Sequence, residues 1–328
     1  MAVRFAVVGA GATGGLLGGH LARAGEEVTL IARGPHLRAI RERGLQVVGL
    51  GSDFTVQAAA TDDLAAVAGA EVVLLTVKAH ALPAVVPELA PHLGPGMTVV
   101  GAQNGVPWWF FQGWGGELQG TVLEAVDPQG GIARHLRQAR VAGAVVYPAA
   151  RVLEPGVVEH YEGWRVALGD PAGTDREALQ PLAAALTRAG FRAPVVRGLR
   201  AELWLKLLGN ATLNPISALT GCTLEEITQD PDGAQLARSM MNEVELVGRR
   251  LGVELPVGVE RRLEGAGSVG AHKTSMLQDV ESGRPLEVEA TLGALVELAS
   301  RLQLQVPHLL GMLGALRLLD RRLRRQAG

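Results

Sequence analysis

The chain has 328 residues, enough for two domains of ordinary size, and its hydrophobic share of 48% can fill two cores. A net charge of −2 gives no bulk attraction to nucleic acid or to an acidic membrane surface. A single cysteine, Cys222, excludes an internal disulfide and any cysteine-built metal site.

Residues 4–8 form a short apolar run that reads as a strand, followed by glycines and a helical pattern over 13–24. Residues 28–32, 72–77 and 97–101 are further apolar runs, each followed by turn or helix signals. Short buried strands alternating with helices predict a parallel sheet in an α/β domain. Residues 141–147, 157–161 and 165–168 are strand-like and are expected to extend that sheet; Pro155-Gly156 marks a turn between two of them. A helix over 176–189 and a last short strand over 193–196 complete this half. From Leu199 onward strand-type runs vanish, and helical stretches are broken at Pro231, Pro256, Gly283 and Pro307. The expected organisation is therefore a Rossmann-type dinucleotide-binding domain over 1–197 and an all-helical domain over 198–328. The arginines of 317–325 alternate with leucines, which reads as an amphipathic last helix with a solvated face. With no charged leader ahead of an apolar segment and no long uncharged apolar stretch, a soluble cytoplasmic protein is expected.

Gly9-Ala10-Gly11-Ala12-Thr13-Gly14 follows the first strand directly and opens a helix. In that context the first glycine makes the tight turn, the second lets the backbone approach a pyrophosphate, and the third allows close helix–strand packing. Free amides at the helix start then face the phosphates. The second strand ends at Arg33, with no Asp or Glu beside it where an NAD enzyme wants an acid for the ribose hydroxyls. An arginine suits a 2′-phosphate, so NADP is the expected cofactor.

Positive charge is carried by 28 arginines and only three lysines, Lys78, Lys206 and Lys273. Lysine can release a proton near neutral pH when desolvated and arginine cannot, so these three are candidates for proton transfer. Lys206, Asn210 and Asn214 recur at i, i+4, i+8 and would share one face of an apolar helix. A snorkelling lysine and a helix-end asparagine before Pro215 are the plainer reading of the same residues. A second polar cluster, 273–279, is followed by Glu287. Ser275 with Gln278 fits a capping box, and the same serine could hold a substrate carboxylate.

Taken in this order and spacing, these motifs resemble the ketopantoate reductase (2-dehydropantoate 2-reductase) family over nearly the whole chain. The resemblance rests on the glycine loop with Arg33, Val77-Lys78-Ala79, Gln103-Asn104-Gly105, the stretch from Arg200 through Lys206 to Pro215, and Ser275 to Asp279 with Glu287. It implies a C-terminal domain like that of 6-phosphogluconate dehydrogenase and a site in the cleft between the two domains. The implied reaction is hydride transfer from NADPH to the keto carbon of ketopantoate, giving D-pantoate for pantothenate and coenzyme A biosynthesis. It implies Lys206 as general acid, Asn210, Asn214 and Ser275 as substrate ligands, and Glu287 beside lysine, ribose and substrate. Asn104 would bridge cofactor and substrate, and Lys78 and Ala150 would belong to the cofactor site.

Three features depart from the family's pattern. Leu292 stands where the family often has asparagine, an aromatic run, Trp108, Trp109, Phe110, Phe111 and Trp114, follows Asn104, and a polar stretch from Asp127 to Gln138 lies before Val141. Four consecutive aromatics cannot share one face of a helix or strand, so some are expected to point away from the local core, with Trp108 or Trp109 near the site. Core packing and an oligomer contact are the alternatives. The departures leave room for a reductase of another 2-oxo acid, or for a dinucleotide sensor without turnover. The expected partners are a small 2-oxo acid and, at most, a second copy of the chain as a homodimer; no nucleic acid, membrane or metal is expected.

Overall fold

The computed structural model describes residues 2–327, which divide into two compact units. The first comprises residues up to 103, 108–121 and 130–199, and the second comprises 104–107, 122–129 and the chain from Arg200 onward. Two short segments of the N-terminal half thus cluster with the helical unit, Asn104 among them.

The first unit contains β1 (Arg4–Val8), α1 (Ala12–Arg23), β2 (Glu27–Ile31), α2 (Gly34–Arg43), β3 (Leu45–Val48), β4 (Phe54–Val56) and β5 (Ala59–Thr61). There follow β6 (Val72–Leu75), α3 (Leu82–Leu89), β7 (Thr98–Gly101), α4 (Gly131–His135), β8 (Arg140–Val146), β9 (Ala149–Glu154), β10 (Val157–Glu162), β11 (Val166–Gly169) and α5 (Gln180–Arg188). Seven strands form one sheet in the order β11-β8-β7-β6-β1-β2-β5, parallel except where β11 runs against β8. All but β5 correspond to strand-like runs of the sequence, and β6 and β7 are buried at every position, as strands covered on both faces must be.

The expected single sheet is corrected at β10, the strand read over 157–161, and β9 is a strand not expected from the sequence. These pair with each other and, through β10, with β3 and β4 in a separate four-stranded sheet. The physical reason lies in α1, whose glycines open both of its sides. A Cβ at Gly18 would come within 2.6 Å of Leu30 in the first sheet, and Cβ atoms at Gly15 and Gly19 within 2.9 Å of Val158 and 2.8 Å of Val47 in the second. Glycine faces let two sheets close on one helix, so the extra strands pack across α1 instead of lengthening the first sheet. The strand expected over 193–196 is also corrected: only isolated bridges tie Arg192 and Val195 to β11 and the residue before it. Pro194 lacks the amide that a continuous ladder would need there.

Trp108, Trp109, Phe110 and Phe111 are all buried, so none points away from a core and none offers an exposed contact surface. The segment is a chain of turns, neither helix nor strand, so the facing rule for regular elements does not constrain it. Trp109 lies across the paired Gly101 and Gly143 of β7 and β8, where any side chain would collide with its indole. Phe110, Phe111 and Trp114 stack on one another with ring centroids 5.0 to 5.3 Å apart.

The second unit is helical: α6 (Leu199–Asn210), α7 (Leu213–Thr220), α8 (Leu224–Gln229), α9 (Pro231–Arg250), α10 (Val259–Gly267), α11 (Ser275–Glu281), α12 (Ala294–Arg301) and α13 (Pro307–Ala327). A π turn over Glu289–Gly293 leads into α12. Helix α9 is the hub, with Met240, Met241, Val244 and Val247 buried and the α7, α8, α10, α12 and α13 helices packed on it. Trp204 of α6 donates its indole N–H to the Val244 carbonyl at 3.0 Å over Gly248, which leaves room for the ring. The basic face of α13 carries ion pairs from Arg317 to Glu289 and from Arg324 to Asp320. Among the described residues no helix is long and apolar enough to cross a membrane.

Candidate active site

The glycine loop joins β1 to α1. Gly9 has φ +99°, and a Cβ there would lie 2.6 Å from Val77, so the tight turn admits glycine alone. The amides of Gly9 and Ala10 donate to the Ile31 carbonyl at 3.0 and 2.9 Å, tying the turn to β2. A Cβ at Gly14 would collide with the Gly9 carbonyl and the Thr76 hydroxyl. At Gly11 a Cβ would meet no protein atom within 4 Å, so packing within the chain gives no reason for this glycine. The cradle therefore fits a dinucleotide: the backbone at Gly11 is open to the approach of a phosphate, and no side chain caps the start of α1. Ala12 and Thr13 form the first turn of α1, half-buried at the mouth.

Arg33 is exposed at the N-cap of α2, just after β2. Lys78 is half-buried one residue before a 3-10 turn that follows β6, and Ala150 is half-buried on β9. A residue that the motif reading missed lies behind the glycine loop. His36 of α2 donates Nε2–H to the Ala10 carbonyl at 2.8 Å and accepts the Gly156 amide on Nδ1 at 3.0 Å. Its tautomer is fixed by those two partners, and burial lowers its pKa, so the neutral ring braces the turn. Neither periodicity nor motif spacing marks such a histidine in the sequence.

In the helical unit, Lys206, Asn210, Asn214, Asn104 and Glu287 come together. The Lys206 ammonium donates to Asn104 Oδ1 at 2.8 Å, and Asn104 Nδ2 donates to Glu287 Oε2 at 3.3 Å. Lysine has only donors and an ionised carboxylate only acceptors, so these neighbours fix which way the amide points. Asn210 reaches Asn104 Oδ1 at 3.5 Å, and Asn214 donates to Asn210 Oδ1 at 3.4 Å. Desolvation lowers the Lys206 pKa to about 8, against the pull of Glu287, which raises it. The site thus holds an ammonium that can part with its proton near neutrality.

Three expectations about this half change. Lys206, Asn210 and Asn214 do not share one helix: α6 ends at Asn210 and α7 starts at Leu213. Pro215 forces the break, because its ring would clash with the Ala211 carbonyl and it has no amide to continue the ladder. The polar face nevertheless runs on across the break through the Asn214–Asn210 bond. The N-cap of α11 is Thr274, which accepts the Leu277 amide at 3.2 Å; Ser275 is the exposed first residue of the helix, and Gln278 bonds to the Lys273 carbonyl, so no capping box forms. Lysine scarcity singles out Lys206 but not Lys273, which makes a surface pair with Glu281 at 2.5 Å. No group of three potential metal ligands occurs among the described residues.

Comparison with known proteins gives matches over nearly the whole chain. Residues 5–173 match the family model described as ketopantoate reductase PanE/ApbA, and residues 198–320 match its C-terminal model. A 2-dehydropantoate 2-reductase of Mesorhizobium japonicum is 45% identical over 96% of this chain and 97% of its own. A solved structure from Ralstonia solanacearum MolK2 is 40% identical with a TM-score of 0.91, covering 98% of this chain and 99% of that one. A PanE/ApbA family ketopantoate reductase from Ralstonia eutropha JMP134 is 30% identical with a TM-score of 0.84, at coverages of 98% and 99%.

Proposed function

The chain belongs to the ketopantoate reductase family, and on that premise we propose that it reduces ketopantoate to D-pantoate with NADPH, a step in making pantothenate. The observation that carries this reading is the Lys206–Asn104–Glu287 constellation, an ammonium with a lowered pKa held by an amide and a carboxylate. When bound on the glycine loop, NADPH supplies the hydride. As the keto carbon accepts it, the carbonyl π bond breaks and negative charge gathers on the oxygen. Lys206 stabilises that charge and gives its Nζ proton to the oxygen, which completes the hydroxyl. Lys206 is left neutral and regains a proton from solvent. Glu287 favours the charged form of the lysine, so it keeps the donor loaded.

Asn104, Asn210 and Asn214 offer amides to the substrate's polar groups, and Ser275 offers its exposed hydroxyl to the carboxylate. On the cofactor side the reading assigns Gly9 to Gly14, Arg33, Lys78, Asn104, Ala150 and Glu287. Arg33 is what favours NADPH over NADH: a guanidinium binds a 2′-phosphate in the place where a carboxylate would repel it. The cytoplasm is the expected place of work, and a small 2-oxo acid the partner. The test is NADPH oxidation with ketopantoate beside a panel of other 2-oxo acids. The highest kcat/KM is expected for ketopantoate; a higher value for another acid would hand that acid the role of substrate.

A further inference from the structure

Three consecutive residues, Asn104, Gly105 and Val106, lie along the segment from Glu287 to Ala290. The Val106 amide donates to the Ala290 carbonyl at 2.7 Å. Gly105 adopts φ +85°, in the left-handed region, and a Cβ there would collide with the same carbonyl. Asn104 then meets Glu287 at 3.3 Å and Lys206 at 2.8 Å.

The Ala290 carbonyl is available for this contact because of the π turn. In an α-helix the Ala294 amide would bond to Ala290; here it bonds to the Glu289 carbonyl, one residue further back. The Ala290 oxygen is thereby released from its usual partner and taken up by Val106. Thr291, wholly buried, holds the start of the turn by donating to the Glu287 carbonyl at 2.6 Å and the Val288 carbonyl at 3.2 Å. Arg317 of α13 grips the turn from outside with two bonds to Glu289, at 2.7 and 2.6 Å.

The distances rank the contacts. The bonds from Asn104 to Glu287 and from Asn210 to Asn104, at 3.3 and 3.5 Å, are long; they choose the amide's orientation but hold its position only weakly. The short backbone bond at 2.7 Å and the close approach at Gly105 leave the loop a single register. We propose that the π turn Glu289–Gly293 is a positioning element for the reduction: its Ala290 carbonyl, seated against Gly105 and Val106, sets where Asn104 holds Lys206, while its Thr291 fixes Glu287, two residues ahead of the turn. Ala290, Gly105 and Thr291 are positioning residues; none of them needs to touch the substrate. The proposal rests on Lys206 being the proton donor.

Gly105→Ala puts a methyl group against the carbonyl and must shift the loop. Thr291→Val keeps the shape of the side chain and removes the hydroxyl; Thr291→Ser restores it. In folded enzyme, Gly105→Ala is expected to lower kcat by about 10- to 100-fold, the scale of a small misplacement at a reacting group. Its NADPH dissociation constant, followed by fluorescence, rises by less than the fall in kcat, because Asn104 is only one of the cofactor contacts and the glycine cradle is untouched. The alkaline fall in rate moves to lower pH, because the ammonium loses part of its support. Thr291→Val does the same more mildly, and Thr291→Ser returns the wild-type profile. If Gly105→Ala does not fold, the Thr291 pair decides alone. Folded variants with wild-type kcat and an unmoved pH profile overturn the proposal, as does a rate loss in Thr291→Val that Thr291→Ser fails to rescue. Lys206→Ala is the control: normal turnover there defeats the proton-donor reading itself, whereas an inactive Lys206→Ala beside normal Gly105→Ala and Thr291→Val defeats only the positioning role.

Discussion

Lys206 and Asn104 stand 102 residues apart in the chain, yet the lysine ammonium lies 2.8 Å from the asparagine side-chain oxygen. Asn104 sits on a four-residue segment that clusters with the helical unit, so donor and acceptor belong to one compact body. The lysine is thus held before any substrate arrives, and that arrangement makes its titration a usable signal.

The rate of ketoacid reduction should fall as pH rises through about 8, since the ammonium is the proton-bearing form and is lost above its pKa. Glu287→Gln removes the charge that raises this pKa, so the fall should begin at lower pH. Lys206→Ala should lower kcat by about 100-fold or more. A pH–rate profile of wild type and both variants checks all three; an alkaline limb that survives in Lys206→Ala would assign it to another group.

Arg33→Ala should narrow the preference for NADPH over NADH. Loss of one charge-assisted contact to a phosphate costs about 1.5–3 kcal/mol, roughly 10- to 100-fold in the ratio of dissociation constants. Titration with both cofactors measures the ratio, and an unchanged ratio removes Arg33 from the phosphate site.

Thr274 and Ser275 are neighbours with separable roles. Thr274→Ala deletes the N-cap of α11 and should cost about 1 kcal/mol of stability while leaving KM for the ketoacid nearly unchanged. Ser275→Ala should raise that KM and leave thermal unfolding nearly unchanged. The opposite pattern, a KM effect from Thr274 alone, would transfer the ligand role to the threonine.

Acid should weaken the first unit through its histidines. His20 is packed edge-on against Phe54, Trp164 and Phe191, and burial lowers its pKa to about 4; His160 is lowered for the same reason. An unfolded imidazole takes its proton near 6.5, so the native state is fully favoured above that pH and loses stability progressively as pH falls towards 4. His20→Leu should flatten this slope in Tm between pH 7 and 4.5. An identical slope in the variant would place the acid sensitivity elsewhere.

Much of this was legible in the sequence because backbone conformation and residue type coincide there. The turn at Gly9 and the close packing at Gly14 demand glycine, so the cradle shows as a spacing. Lys206 showed through scarcity and the asparagines through their period. Other features depend on tertiary pairing and leave no local trace. Residues of β10 are strand-like in either sheet, and only the glycine faces of α1 decide which one they join. The aromatic run escaped because the facing rule assumes a regular element, and this segment has none. Thr274 and Ser275 are both good caps, and sequence offers no means of choosing the register between them. The brace at His36 and the carbonyl released at Ala290 depend on partners 120 and 184 residues away.

Helix α1 has four glycines in its 12 residues, each costing about 1 kcal/mol against alanine, so it is a poor helix on its own. What holds it is the pair of sheets on either side, and the second of these includes β10, which ends at Glu162. During synthesis residues 12–23 therefore have little intrinsic helical order of their own. Completing the phosphate cradle on this helix requires β10, whose Val158 packs on Gly15. Cofactor cannot help α1 to fold before the second sheet is in place, since the cradle needs both sheets. A truncation ending before β10 should accordingly be degraded in the cell, even though it contains every glycine of the fingerprint.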